Sequence, residues 1–230
     1  MGEEHGLRER PVSKHEEALP LPSGTPLYES LTSRFIAFDR LLATLADTTY
    51  SGYVRLVAAD GNGVLLFRDG RVVDSLHRRD QALLTDEEAL RSIQRSVEEG
   101  TGVIDVVGLD RALVDGLHHL ASGVAAYPDM RASWVNITGL VNFLQGRRYT
   151  GAISVRAKSG SGVVMLDHGE VTGAFTSESR KMETDPSSVL ALCSDPEAQV
   201  EVHAEAGRAG ETAVEPARER QPGVEAPSPV

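Results

Sequence analysis

Few residues in this chain combine a reactive type with a usable spacing. His118-His119 is the strongest metal candidate, because neutral imidazole is a common ligand. Neighbours on a helix, however, point about 100° apart, and no His four residues on and no nearby Cys completes a set. Gly61-x-Gly63 and Gly160-x-Gly162 suggest a phosphate cradle, yet neither is followed by the Lys and Ser or Thr that such a loop needs. Gly160-Ser161-Gly162 lacks the five-residue spacing of a nucleophile elbow. Asp167-His168 is half of a dyad at a position that reads as a tight turn. The lone Cys193 falls on the apolar side of a short helix, where a thiol behaves as a small hydrophobe. The nearest thing to a charged binding face is Arg55, Arg68, Arg71, Arg78 and Arg79, gathered around one strand meander. These five are the candidate partner-binding residues. No catalytic residue, metal or cofactor is assigned, and a non-enzymatic role is expected.

The bulk composition agrees with that restraint. Twenty-three Lys and Arg against 34 Asp and Glu leave a net charge of −11, the wrong sign for neutralising phosphates, so no nucleic-acid partner is expected. One cysteine excludes an internal disulfide. The longest aliphatic runs fall far below the roughly 20 residues that span a bilayer, so no membrane insertion is expected. The opening residues carry neither a basic nor an apolar leader region, and a cytoplasmic location follows as the expectation.

The elements that would hold these residues come in duplicate. At a constant offset of 99 positions, Phe35-Ile36 lies over Trp134-Val135, Tyr50-Ser51-Gly52 over Tyr149-Thr150-Gly151, Gly61-Asn62-Gly63 over Gly160-Ser161-Gly162, and Asp69-Gly70 over His168-Gly169. Each copy reads as a short β-prone run, a cap (Asp39 or Thr138), a short helix, a three-strand meander, a second helix and a closing strand. Gly52, Gly63, Asp69, Gly70, Gly151, Gly162 and Gly169 are the expected turn residues; Asp-Gly between apolar runs is the signature of a type I′ hairpin. Asn136-Ile137-Thr138 is assigned to helix capping rather than glycosylation. Phe35 and Trp134, at matching positions, are read as core anchors, with partner contact as the alternative. The second copy is shorter by about three residues before its last strand. Leu109, Leu113, Leu117 and Leu120 predict a linking helix that ends near Gly123.

The expected fold is therefore α+β. It has two tandem repeats, each a small antiparallel β-meander sheet with short packing helices, joined by a linking helix. The divisions are a disordered tail at 1–27, repeats at 28–108 and 124–203 around a linker at 109–123, and a second disordered tail at 204–230. Tyr50-Ser51-Gly52-Tyr53-Val54-Arg55-Leu56 and Leu66-Phe67-Arg68-Asp69-Gly70-Arg71-Val72-Val73-Asp74-Ser75 resemble the bacterial PATAN-like family of domains of unknown function, in two tandem copies with the second more divergent. That resemblance implies a signalling adaptor acting through protein contacts. Its partners would be a receiver-domain protein, a Roadblock-type regulator or a small GTPase, with a homodimer among the assemblies allowed. The alternative is a small-molecule-sensing module with its site between the repeats.

Overall fold

The computed structural model describes residues 18–80 and 82–204. It is a mixed α+β protein built on two antiparallel sheets. The first contains β1 (Thr25–Thr32), β2 (Gly52–Ala58), β3 (Gly61–Arg68), β4 (Arg71–Arg79), β5 (Ala82–Thr85) and β6 (Val103–Gly108) in the order β1-β6-β2-β3-β4-β5. Its helices are α1 (Phe38–Asp47) and α2 (Asp86–Glu98). After a linking helix, α3 (Arg111–Ser122), the same plan returns. β7 (Val124–Arg131), β8 (Gly151–Ala157), β9 (Gly160–Asp167), β10 (Glu170–Thr176) and β11 (Gln199–Ala204) lie in the order β10-β9-β8-β11-β7, with α4 (Ile137–Gly146) and α5 (Ser187–Leu192). Read from the opposite edge, this is the order of the first sheet without β5.

The duplication reaches individual bonds. Tyr50 and Tyr149 each end a helix, their amides donating to Leu45 and Leu144 and their carbonyls accepting from Gly70 and Gly169. Ser51 and Thr150 hydroxyls accept from the Asp69 and His168 amides, both at 3.0 Å. Asp69-Gly70 and His168-Gly169 all have φ between 48° and 87°, as a type I′ turn demands at both centres.

Each sheet is covered on both faces, so β3 is buried along nearly its whole length instead of alternating. One face of the first sheet packs Val54, Leu56, Leu65, Phe67, Ile104 and Val106 under α1 and α2, and the second sheet repeats this with α4 and α5. The other faces share a central core. Tyr53, Val64, Leu66 and Val107 from one sheet and Ala152, Val163, Met165 and Phe175 from the other close around Leu113, Val114 and Leu117 of α3. The Asp110 carboxylate caps α3 by accepting from the Leu113 amide at 2.8 Å.

Several expectations are corrected. Residues 18–24, placed in a disordered tail, form an ordered strap that buries Leu19 and Leu21 in the central core. Its Pro22 carbonyl accepts from Tyr53 Oη at 3.0 Å and its Gly24 amide donates to Ser179. The remaining tail segments, 1–17 and 205–230, lie outside the described residues. The β-prone runs at 33–38 and 133–137 are instead single 3-10 turns, Ser33–Phe35 and Ala132–Trp134, that follow unforeseen edge strands β1 and β7. Asp39 and Thr138 fall inside the first turns of α1 and α4, two residues too late to cap. Asn136 caps α4, accepting from the Gly139 amide at 3.0 Å, while Ala37 at the N-cap of α1 has no side chain that could cap it. Gly63 and Gly162 are strand residues, not turns; the two-residue loops fall earlier, at Ala59-Asp60 and Lys158-Ser159. A Cβ on Gly63 would meet Ile93 of α2 at 2.6 Å, and one on Gly162 would meet Val189 of α5 at 3.0 Å. Both glycines let a helix lie close on the sheet.

Candidate functional site

The five arginines around the first meander do not form one face. Strand alternation sends Arg55 and Arg78 toward the space between the sheets and Arg79 to the α2 side. Arg68 sits at the far end of the hairpin. Carboxylates answer most of the charge: Arg55 is bonded to Asp105 (2.7 and 3.2 Å), Arg68 to Asp115 (2.8 Å) and Arg79 to Asp60 (3.1 Å). Arg71 is exposed beside the turn, and Arg78 has its Nε buried without a partner. Sequence nearness around a hairpin mixes two faces and two ends, which is why these residues looked like a patch.

The reactive types are equally scattered. His118 Nδ1 meets Asp74 at 2.7 Å, and His119 Nδ1 meets the Asp115 carbonyl one turn back at 2.8 Å. Burial pushes the Asp74 carboxyl up, with His118 opposing. Asp167 and His168 touch at 2.7 Å on an exposed turn. Burial also pushes the Cys193 thiol up, away from the reactive thiolate. Among the described residues no three His, Cys, Asp or Glu side chains gather as a metal site would require. Ser154, His203 and Glu201 come together, but Ser154 Oγ and Glu201 Oε2 both contact the same His203 nitrogen, Nε2, at 3.3 Å. A nucleophilic triad needs those contacts on opposite ring nitrogens.

The chain does form a cleft between the repeats. About 410 Å³ of space is enclosed by the strap (Pro22, Gly24), the inner face of the first sheet (Tyr53, Arg55, Asp105) and the end of β10 (Ser177, Glu178, Arg180). Asp105 is held on both sides, by Arg55 and by the Ser30 amide at 2.8 Å. The equivalent positions at the opposite end of the central core differ in where the arginine stands, and Ser154 takes the place of Arg55. Glu201 stands for Asp105, but Arg78 stands where the cleft has Ser177. The Glu201 carboxyl is held low by its hydrogen bond to His203, against burial, and positive charge from Arg156 and Arg78 adds to this. Each end thus holds one arginine and one serine at these matched positions, with the arginine on β2 at the cleft and on β4 at the opposite end.

The remaining feature is apolar and runs against expectation. Phe35 and Trp134, read as core anchors, are 82% and 72% exposed. The local cause is the 3-10 turn that carries each. Ser33 is buried and bonded in both directions to Gly102 (2.9 and 3.1 Å), which directs Phe35 outward. In the second repeat the Ala132 and Ser133 amides donate to Ala198 and Pro196, and Trp134 projects under the Arg131 guanidinium, 5.5 Å from the ring centroid. Of the other matched aromatic pairs, Tyr28 is half-exposed and Tyr127 half-buried, and Tyr50 and Tyr149 are buried in both copies; only at Phe35 and Trp134 are both members largely exposed. Exposure at this one matched position is a property of the repeat.

No curated protein and no solved structure matches the chain. Residues 19–121, just under half of its length, match the model of a family described as an uncharacterized protein conserved in archaea (DUF2226). This overturns the resemblance to the bacterial PATAN-like family. The residues that carried it are hairpin glycines and alternating apolar positions, which any such meander needs, so they report the fold and not the lineage. The match starts at Leu19, the first residue of the strap to enter the core, and stops in the last turn of α3. The matched stretch of this chain therefore comprises the strap, the first sheet and the linking helix.

Proposed function

We propose that this protein is a non-catalytic interaction module that binds other proteins through Phe35 and Trp134. One observation carries the reading: the same position of both repeats exposes a large aromatic side chain, on a turn fixed by backbone bonds. Rigid exposed aromatics lose little entropy on binding and are the residues most often found as binding hot spots. The receiver, Roadblock and GTPase partners implied by the PATAN-like resemblance lose their support with it. Among the described residues no helix is long and apolar enough to cross a membrane, which suits an exposed aromatic whose task is protein contact. The test compares the full chain with a Phe35→Ala/Trp134→Ala double variant as bait in an extract of the native cell. A protein retained in stoichiometric amount by the first and lost by the second, with unchanged melting of the bait, supports the reading. Equal retention by both refutes it. Truncating each anchor should cost roughly 2 kcal/mol, about a thirtyfold loss of affinity.

The inter-repeat cleft favours a second reading, that of a small-ligand sensor. Ser177→Arg would narrow it with a second arginine, at the position that Arg78 takes at the opposite end. A metabolite that raises the melting temperature of the native chain but not of Ser177→Arg supports this reading. Equal stabilisation of both places the ligand elsewhere.

A further inference from the structure

The two repeats match in fold but not at their outer ends. The second helix has 13 residues in the first repeat (α2) and 6 in the second (α5). The extra turns of α2 wall a hollow of about 440 Å³ against the 3-10 turn and the start of α1. Its apolar surface comes from Ile36, Phe38 and Val97; Asp39, Glu98 and Glu99 supply acceptors, against the single positive charge of Arg34. With its short α5, the second repeat has no counterpart to that wall. What it has in place of Phe35 is Trp134, larger and equipped with an indole N–H donor, under the guanidinium of Arg131. The pairing of Arg131 with Glu197 at 3.0 Å is between exposed side chains and is weak enough to exchange. One repeat thus holds an acidic recess and the other an aromatic knob topped by a cation.

We propose that two copies of this chain associate head to tail, Trp134 of one entering the hollow between α2 and the 3-10 turn of the next. The inference rests on reading the exposed aromatics as binding anchors, and it names their partner as a second copy. The indole N–H and the Arg131 guanidinium meet the carboxylates of Asp39, Glu98 and Glu99, while the ring covers Ile36 and stacks on the neighbouring Phe35. Knob and hole are different surfaces, so the contact is heterologous: a pair keeps a free hole on one chain and a free knob on the other, and association extends with concentration.

The experiment uses the full chain in sedimentation velocity across a concentration series, with emission from Trp134, its only tryptophan, read on the same samples. The expected result is a mass that rises above the 24.7 kDa of one chain, with a blue shift of emission over the same range. Trp134→Ala and Glu98→Arg/Glu99→Arg change exposed residues, and each should remain a monomer. Mixed together, the two variants should recover a dimer of twice the chain mass that grows no further, because one supplies the only hole and the other the only knob. A native chain that stays monomeric overturns the proposal, as does a mixture that fails to pair. Association of Glu98→Arg/Glu99→Arg at native strength also overturns it. Loss of self-association alongside capture of a different protein through Phe35 and Trp134 would sink this inference and leave the interaction-module reading standing.

Discussion

Replacing His77 with leucine should raise stability at neutral pH and remove much of the acid sensitivity of the fold. The imidazole is fully buried on β4, on the face that carries α2, and neither ring nitrogen has a hydrogen-bond partner. Desolvation holds its pKa down, Asp60 opposes this, and Arg79 adds to it. With the folded value below the unfolded one, the unfolded chain binds the proton first, so stability falls as pH drops through about 6.5 toward the folded pKa. At pH 5.5 this one group costs up to about 1.4 kcal/mol relative to pH 7.5, or about 3 to 6 °C in melting temperature for a chain of this size. Asp74, raised by burial, works in the opposite direction. Asp185, Asp195 and Glu201 are held low and withdraw stability only in the more acidic range, as pH falls through their folded values. All four are common to both proteins and cancel in the comparison. His77→Leu also removes two buried polar atoms without partners, so a gain of about 1 to 3 kcal/mol is expected at pH 7.5. Urea denaturation of both proteins at pH 7.5 and 5.5 measures each quantity. Parallel losses in the two proteins would refute the account of His77.

Tyr50 Oη donates to the Val107 and Tyr53 carbonyls, whereas Tyr149 Oη is buried without a partner and its phenol is pushed up to about 12, chiefly by burial. Tyr50→Phe should therefore cost about 1 kcal/mol and Tyr149→Phe nothing, and equal losses in denaturation would contradict the asymmetry. Gly63→Ala drives a methyl into Ile93 and should cost roughly 1 to 3 kcal/mol. Gly162→Ala meets Val189 and Leu192 at 3.0 to 3.1 Å and should cost less, an order that melting temperatures check directly.

The repeat was legible because turn chemistry leaves a mark in sequence. Positive φ at two successive residues restricts what Asp69-Gly70 and His168-Gly169 can be, and the matching apolar strands set the register between them. The edge strands left no such mark. β1 is exposed at seven of its eight residues and carries Pro26, and β1 and β7 bulge at Ser30 and Asp129, both at positive φ. These features protect an open edge and erase the alternation by which strands are read. The strap was hidden for a similar reason: prolines at 20, 22 and 26 suggest disorder, while Leu19 and Leu21 are too few to show a period. Phe35 and Trp134 were misplaced because an aromatic in a β-prone run ordinarily points inward, and only the 3-10 turn reverses it. Arg78 and Arg79 stand beside His77 on β4, where alternation buries the histidine among charged neighbours. Facing, not residue type, decides each of these cases.

Because α3 is synthesised before any strand of the second sheet, it closes the exposed side of the first sheet while the rest of the chain is still being made. N-terminal units generally form first during synthesis. The first sheet therefore has Leu113, Val114 and Leu117 available early, and the outward side of α3, with Gly116 opposite Met165 and Met182, becomes the template on which the second repeat assembles. Ribosomes stalled after α3 would hold a half-protein whose sticky surface is this single helix stripe.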